Sequence, residues 1–257
     1  MAIVYAAFFG LIIGSFLNVC IYRVPRKLSV VSPARSYCPP CERQLTALEN
    51  IPIISWIVLG GKCKTCKTSI SGQYPLVEAL SALAAAESYL HFGFTPTGAV
   101  IYALTAALIV ITFIDFEFKI IPNVISYPGI TIGLIIGAVS QFTGWFDFPI
   151  SQSAWDSLLG MYAGGGFFWV IGEIYYRVTK TVGLGGGDVK LMGMTGAVLG
   201  LQSVASTIFL GSLLGSVVGI AMILFRGGSR KSEIPFGPWL SLGAILYVFT
   251  GVDFFKF

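Results

Sequence analysis

The chain has 257 residues, of which 55% are hydrophobic and only 11% charged, and its net charge is +4; its mean hydropathy is +0.82. A soluble domain carries about 25% charged residues, so the composition excludes an ordinary soluble domain and places the chain in lipid. The modest positive balance is no footprint for nucleic acid and reads instead as a record of membrane topology.

Taken in chain order, about eight apolar runs read as transmembrane helices: roughly 3–22, 76–92, 97–114, 120–140, 157–178, 188–201, 204–225 and 234–252. The first has no basic stretch before it and no small-residue cleavage site after it, so it is expected to span the membrane rather than to be removed as a signal. Arg23, Arg26 and Lys27 follow it at once, which puts its C-terminal end in the cytoplasm and the N-terminus outside. On that orientation the cytoplasmic segments are 23–75, 115–119, 178–187 and 226–233. Fifteen of the sixteen Lys and Arg residues lie in or beside them, and only Lys256 does not. The outer loops 93–96 and 141–156 hold Asp147 and Asp156 but no Lys or Arg. The expected fold class is therefore an all-α polytopic membrane protein with one small cytoplasmic domain.

The polar insert after the first helix contains Cys38-Pro-Pro-Cys41 and Cys63-Lys-Thr-Cys66, two C-x2-C pairs separated by 21 residues. Each pair can offer two thiolates from a tight knuckle, and four thiolates make a closed tetrahedral zinc site with no open position for catalysis. A redox pair or solvated thiols is the alternative, although a reducing cytoplasm disfavours disulfides. An insert of about 50 residues has a small core, which a metal clip would reinforce. Cys20, alone in the first helix, reads as packing.

Two carboxylates stand at the ends of apolar runs. Asp115 closes the third, and Asp188 opens the sixth after Gly185-Gly186-Gly187. On the expected topology both face the cytoplasm, so they can meet. Ionisable residues at a membrane boundary are functional candidates because hydrocarbon penalises charge. Two carboxyls a few Å apart do not both ionise cheaply, which suits one to act as acid and the other as base. The plainer readings are that Asp188 caps its helix and that Asp115 pairs with Lys119 one turn on. Lys190 is either a neighbour that stabilises the pair's anion or an ordinary cytoplasmic charge. His91 reads as an interfacial side chain, Glu173 with Arg177 as a boundary ion pair, and Gly164-Gly165-Gly166 as a site of close helix packing.

A series of motifs runs in order along nearly the whole chain. Gly14-Ser-Phe-Leu-Asn18-Val-Cys-Ile-Tyr-Arg23-Val-Pro25 comes first, then the cysteine knuckles with Glu49-Asn50-Ile-Pro52-Ile-Ile-Ser55-Trp56 between them. Tyr74-Pro75-Leu-Val-Glu78, Asp115 with Ile121-Pro122, Gly185-Gly-Gly187-Asp188-Val-Lys190-Leu and Pro235-Phe-Gly-Pro238 follow. With these the chain resembles the type IV prepilin peptidases, membrane-embedded aspartyl proteases of the GxGD type. It departs from them at Asn123, where many members have an acidic residue.

The resemblance implies two activities. One is cleavage of the basic leader of type IV prepilins and type II secretion pseudopilin precursors, at the cytoplasmic face of the bacterial inner membrane. The other is methylation of the new N-terminal residue from S-adenosylmethionine, since the cysteine-bearing insert is similar to that of the bifunctional members. It assigns the peptidase dyad to Asp115 and Asp188, with Gly185, Gly187 and Lys190 in support. It also divides the chain into a first transmembrane helix (1–22), a cytoplasmic zinc-binding domain associated with methyl transfer (23–75) and a transmembrane peptidase domain (76–257). No G-x-G-x-x-G nucleotide loop is present, so a methyl-donor site would be built from the insert and helix ends. Glu49, Asn50 and Glu78 are the candidates; as alternatives, Glu49 is a solvated loop residue and Glu78 a favourable charge at a helix N-terminus. Three rival functions predict other features. An intramembrane protease of the presenilin type would not require the cysteines. A proton-coupled transporter would show an internal repeat with aspartates in mid-span. A non-catalytic assembly factor would tolerate loss of both aspartates.

Overall fold

The computed structural model describes residues 1–33, 35–181, 185–226 and 235–251. The expected cytoplasmic charges Arg230 and Lys231, and Lys256, lie outside the described residues. The chain divides into two compact units, Met1–Phe94 and Thr95–Phe257. Among the described residues the regular elements are helices, and the only strand-like pairings are two isolated bridges, Tyr37 with Gln44 and Lys62 with Ser69.

The first unit holds α1 (Ala2–Arg23), a 3-10 turn at Leu48–Asn50, the short α2 (Ile54–Val58) and α3 (Gln73–Phe92). Helices α1 and α3 pack closely because α1 presents Gly10, Gly14 and Asn18 at four-residue spacing. A Cβ at Gly10 would lie 2.6 Å from the Ser81 carbonyl oxygen, and one at Gly14 would lie 2.7 Å from the Glu78 Cα. Asn18 continues the seam by donating from Nδ2 to the carbonyls of Gly14 (3.3 Å) and Tyr74 (3.0 Å). Small residues at this spacing let membrane helices approach without a hydrophobic drive between them. The opposite face of α1 exposes Phe8, Ile12 and Phe16.

The second unit holds α4 (Pro96–Phe118), α5 (Asn123–Thr143), α6 (Ala154–Thr179), α7 (Gly186–Leu199), α8 (Leu201–Arg226) and α9 (Gly237–Thr250). Thr95 caps α4, accepting from the Gly98 N–H, with Pro96 at the first helical position. Ser153 caps α6 in the same way through the Asp156 N–H. Helix α7 is the centre of this unit. From Leu191 to Leu199 every residue is buried, and α5, α6, α8 and α9 all pack on it. A Cβ at Gly164 would stand 2.5 Å from the Met192 carbonyl oxygen, and Gly160 faces Gly196 just as closely. The glycine run in α6 thus admits α7, as its composition suggests.

Each of the eight expected spans coincides with a helix. Five of them, α1, α4, α5, α6 and α8, are long and apolar enough by themselves to cross a membrane. Helices α7 and α9 have 14 residues each, and α3 is diluted by Glu78, Ser81, Glu87 and Ser88. The chain is a multi-pass membrane protein, and eight crossings is not a number these helices establish.

Candidate active site and metal centre

Asp115 lies in the last turn of α4 and Asp188 in the first turn of α7, and both are buried, at 6% and 9% exposure. Helix α4 stops just beyond Asp115 because Lys119 adopts a left-handed conformation (φ 55°), its N–H returning to the Asp115 carbonyl at 2.9 Å. Asp188 is not the cap of α7. Gly185 holds that position, and its carbonyl accepts the Asp188 N–H at 3.1 Å.

Three separate motifs meet around one side chain, Ile121. A Cβ at Gly187 would touch Ile121 at 3.2 Å. A Cβ at Gly237, in the motif that opens α9, would touch Ile121 Cδ1 at 3.2 Å and Asp115 Oδ2 at 2.6 Å. The Gly237 N–H donates to the Asp115 carboxylate, and the charge of Asp115 acts on Asp188. The Gly237 contact was not legible in sequence, although Pro235-Phe-Gly-Pro238 stood out as a motif; a backbone donor leaves no mark in a side-chain pattern. Replacing Gly237 with Ala is expected to push the Asp115 carboxylate aside, because a side-chain end yields more cheaply than a backbone. Cleavage should fall by about 10–100-fold in kcat, since a misplacement of about 1 Å can cost that much. Zinc content should be unchanged; a Gly237→Ala variant with wild-type kcat would remove the role.

Lys190 reaches toward α5. Its Nζ donates to Asn123 Oδ1 at 2.5 Å and lies 5.9 Å from the centre of the Tyr127 ring. It stitches α7 to α5, and Asn123 is its acceptor. Glu173 and Arg177 form their boundary pair at 2.8 Å.

In the first unit the two knuckles are the same turn used twice. The Cys38 N–H bonds to the Arg43 carbonyl and the Cys63 N–H to the Thr68 carbonyl, both at 2.9 Å. The residues after the second cysteines, Glu42 and Lys67, both take positive φ (54° and 58°). All four Sγ atoms lie within 4.8 Å of one another, and Cys38 Sγ is 3.7 Å from Cys66 Sγ, across the two knuckles. A tetrahedron with Zn–S bonds of about 2.3 Å has edges of about 3.8 Å, so the cluster fits zinc. The N–H groups of Cys66 and Thr65 pull the Cys63 thiol down to about 6, while burial pushes Cys38 up to about 12.

Glu49, Asn50 and Glu78 all line one cavity of about 360 Å³, together with Asn18, Tyr22 and Trp56. Cys38 and Cys63 form part of the same wall. Within it the two glutamates differ. Glu49 accepts from Arg43 Nη2 at 2.7 Å, Arg43 Nη1 at 3.0 Å, the Thr46 N–H at 2.9 Å and Thr46 Oγ1 at 2.8 Å. Three of these donors reach Oε2 and one reaches Oε1, so Glu49 is first a strut that fixes Arg43, whose guanidinium also reaches Cys63. The Arg43 hydrogen bonds, followed by those from Thr46, hold the Glu49 carboxyl down at about 2. The strut thus stabilises fully above the usual carboxylate range and is lost as pH falls through about 2. Changing Glu49 to Gln is expected to lower methylation several-fold by freeing Arg43 while leaving cleavage intact; an equal fall in both rates would contradict this.

Glu78 is placed otherwise. Its Oε2 accepts the Ile53 N–H at 2.7 Å, holding a β-branched residue at φ 60°, where such side chains are genuine outliers. Trp56 is fixed by its Nε1–H on the Ile70 carbonyl at 3.1 Å.

Residues 8–92 match the bacterial peptidase A24 N-terminal domain, and residues 102–220 match the type IV leader peptidase family. Three similar proteins come from Stutzerimonas stutzeri (34% identical, covering 94% of this chain and 88% of the relative), Pseudomonas aeruginosa (33%, 94% and 88%) and Aeromonas hydrophila (35%, 95% and 89%). Each is named a prepilin leader peptidase/N-methyltransferase. No solved structure matches the chain.

Proposed function

The chain belongs to the type IV leader peptidase family, and on that premise we propose that it cuts the leader from prepilins with Asp115 and Asp188 as one catalytic pair, then methylates the new N-terminus. What supports the peptidase reading is that both carboxyls are buried, that Gly187, next to Asp188, and Gly237 both lie against Ile121, and that Gly237 also lies against Asp115 Oδ2. In the cut, the ionised carboxyl takes a proton from water as the water oxygen attacks the scissile carbonyl. The protonated carboxyl hydrogen-bonds that carbonyl's oxygen, and a proton passes to the leaving amine as the C–N bond breaks. The pair acts as a unit, and the Gly237 N–H keeps one of its carboxylates in place.

Methyl transfer belongs to the first unit. The amine lone pair attacks the methyl carbon of S-adenosylmethionine, the S–CH3 bond breaks to leave a neutral thioether, and the amine gives up a proton. The cavity at Glu78 has a size suited to such a ligand, since small-molecule sites begin at about 300 Å³. Its aromatic walls, Tyr22 and Trp56, suit an adenine ring, and the Glu78 carboxylate suits a sulfonium or an amine. Zinc bound by Cys38, Cys41, Cys63 and Cys66 supplies a cross-link that holds the cavity's outer wall. The substrates are prepilins and pseudopilin precursors, and the site is at the cytoplasmic face of a bacterial inner membrane, with the N-terminus outside. The positive-inside pattern supports this orientation.

The test uses purified protein in detergent with a prepilin and methyl-labelled S-adenosylmethionine. Release of the leader followed by label on the shortened product is the expected result. An intact prepilin, or label appearing on the uncut precursor, would overturn the reading.

A further inference from the structure

We propose that the insert segment Leu48–Val58 is a membrane-interface element whose apolar side chains lie in the lipid at the Arg23 end of α1. On α2, Ile54, Ile57 and Val58 share one face at i, i+3 and i+4, and they are 60%, 64% and 77% exposed. Leu48 and Ile51 are exposed beside them. The other side of the helix is satisfied by the protein, since Trp56 is hydrogen-bonded to Ile70 and packs on Gly61. Five large apolar side chains left outward within eleven residues require a nonpolar environment.

The depth of the segment identifies that environment as lipid. Asn50 and Pro52 share a small cavity with Ile12, Ser15, Phe16 and Val19 of α1. Those α1 residues lie about 6–16 Å along the helix from Arg23, at about 1.5 Å per residue. The Ile53 N–H is bonded to Glu78 in the second turn of α3. The segment therefore hangs beside the membrane helices rather than above them. Ile12 and Phe16, its neighbours, belong to the exposed apolar face of α1, so the two surfaces continue one another. Exposed Lys62, Lys64 and Lys67 follow in the second knuckle, where anionic headgroups would meet them. A short apolar face with cations beside it is how a helix beds in the headgroup boundary.

One consequence rests on the methyl-donor reading above. Asn50 and Trp56 are walls of the Glu78 cavity, so a bedded segment holds that cavity at the lipid surface, where the new N-terminus of a membrane-anchored helix emerges.

The test places a bimane label on Val58→Cys or on Lys64→Cys in the full-length, zinc-loaded protein carrying Cys20→Ser. The protein is reconstituted in phosphatidylcholine–phosphatidylglycerol vesicles with or without brominated acyl chains. The Val58 label should be quenched by brominated lipid at least threefold more than the Lys64 label and should be shielded from aqueous iodide. A Val58 label as open to iodide as the Lys64 label would overturn the proposal. So would protection that appears only when a prepilin is added, because the patch would then be a substrate dock. Neither enzymatic activity enters this readout, so failure of the methyl-donor reading would leave it unaffected.

Discussion

Leader cleavage should fall by on the order of 10³-fold or more when either Asp115 or Asp188 is changed to Asn, because in the proposed mechanism each carboxyl moves a proton that an amide cannot. The substitution preserves volume and shape, and the amide oxygen that Asp115→Asn introduces can still accept the Gly237 N–H that the carboxylate accepts. Folding and membrane insertion should therefore survive. Methylation of a peptide that already carries the mature N-terminus should continue, because the cavity proposed to serve it is built within Met1–Phe94. Zinc content should also be unaltered. Residual cleavage near the wild-type rate in either variant would show that the two aspartates do not form the catalytic pair. The expected loss, by contrast, separates the protease from an assembly factor that needs only the insert.

The second large effect concerns the metal. Among the described residues of the insert from Val24 to Gly72, the only buried hydrophobic side chains are Cys38 and Cys63. The insert has no apolar core of its own, so the cluster is its core. Structural zinc contributes about 10–16 kcal/mol in comparably small folds, more than the two isolated bridges and the Arg43–Glu49 strut supply. Changing Cys38 to Ser, or removing metal with a chelator, is thus expected to unfold the insert. The cavity wall formed by Cys38, Cys63 and Glu49 goes with it. Methylation should be lost, whereas cleavage should change by no more than a few-fold, since the second unit has its own core around α7. Zinc analysis and the two activities measured side by side check this. A Cys38→Ser protein that retains full zinc would contradict the four-thiolate site.

The positions of the helices were legible because long apolar runs in a chain this poor in charge have few alternatives. Helix α7 was hardest to read, and the structure gives the reason. A helix buried on all sides by others needs neither a polar face nor the length to cross alone, so its glycines and its 14 residues resemble a loop. The cysteine cluster was legible from spacing because C-x2-C fixes its own local turn. The strut role of Glu49 was not legible, because a carboxylate in a loop carries no sign of its partners. Its partner Arg43, six residues earlier, becomes visible only when the 3-10 turn at Leu48–Asn50 folds back on the first knuckle. Glu78, a candidate for the methyl-donor site, lines the cavity, but its hold on the positive-φ turn at Ile53 leaves no mark in the sequence. The meeting of Gly187 and Gly237 at Ile121, with Asp115 against Gly237, joins positions as far apart as 115 and 237, and no local pattern encodes such a meeting.

Whether Asp115 and Asp188 act as one unit is decided by a double-mutant comparison. kcat/KM for leader cleavage would be measured for the wild type, Asp115→Asn, Asp188→Asn and the protein carrying both changes. Residues that share one catalytic step are strongly non-additive, so the double variant should be no slower than the slower single variant, within about threefold. Losses that multiply would mean that the two carboxyls contribute independently and would contradict the shared dyad.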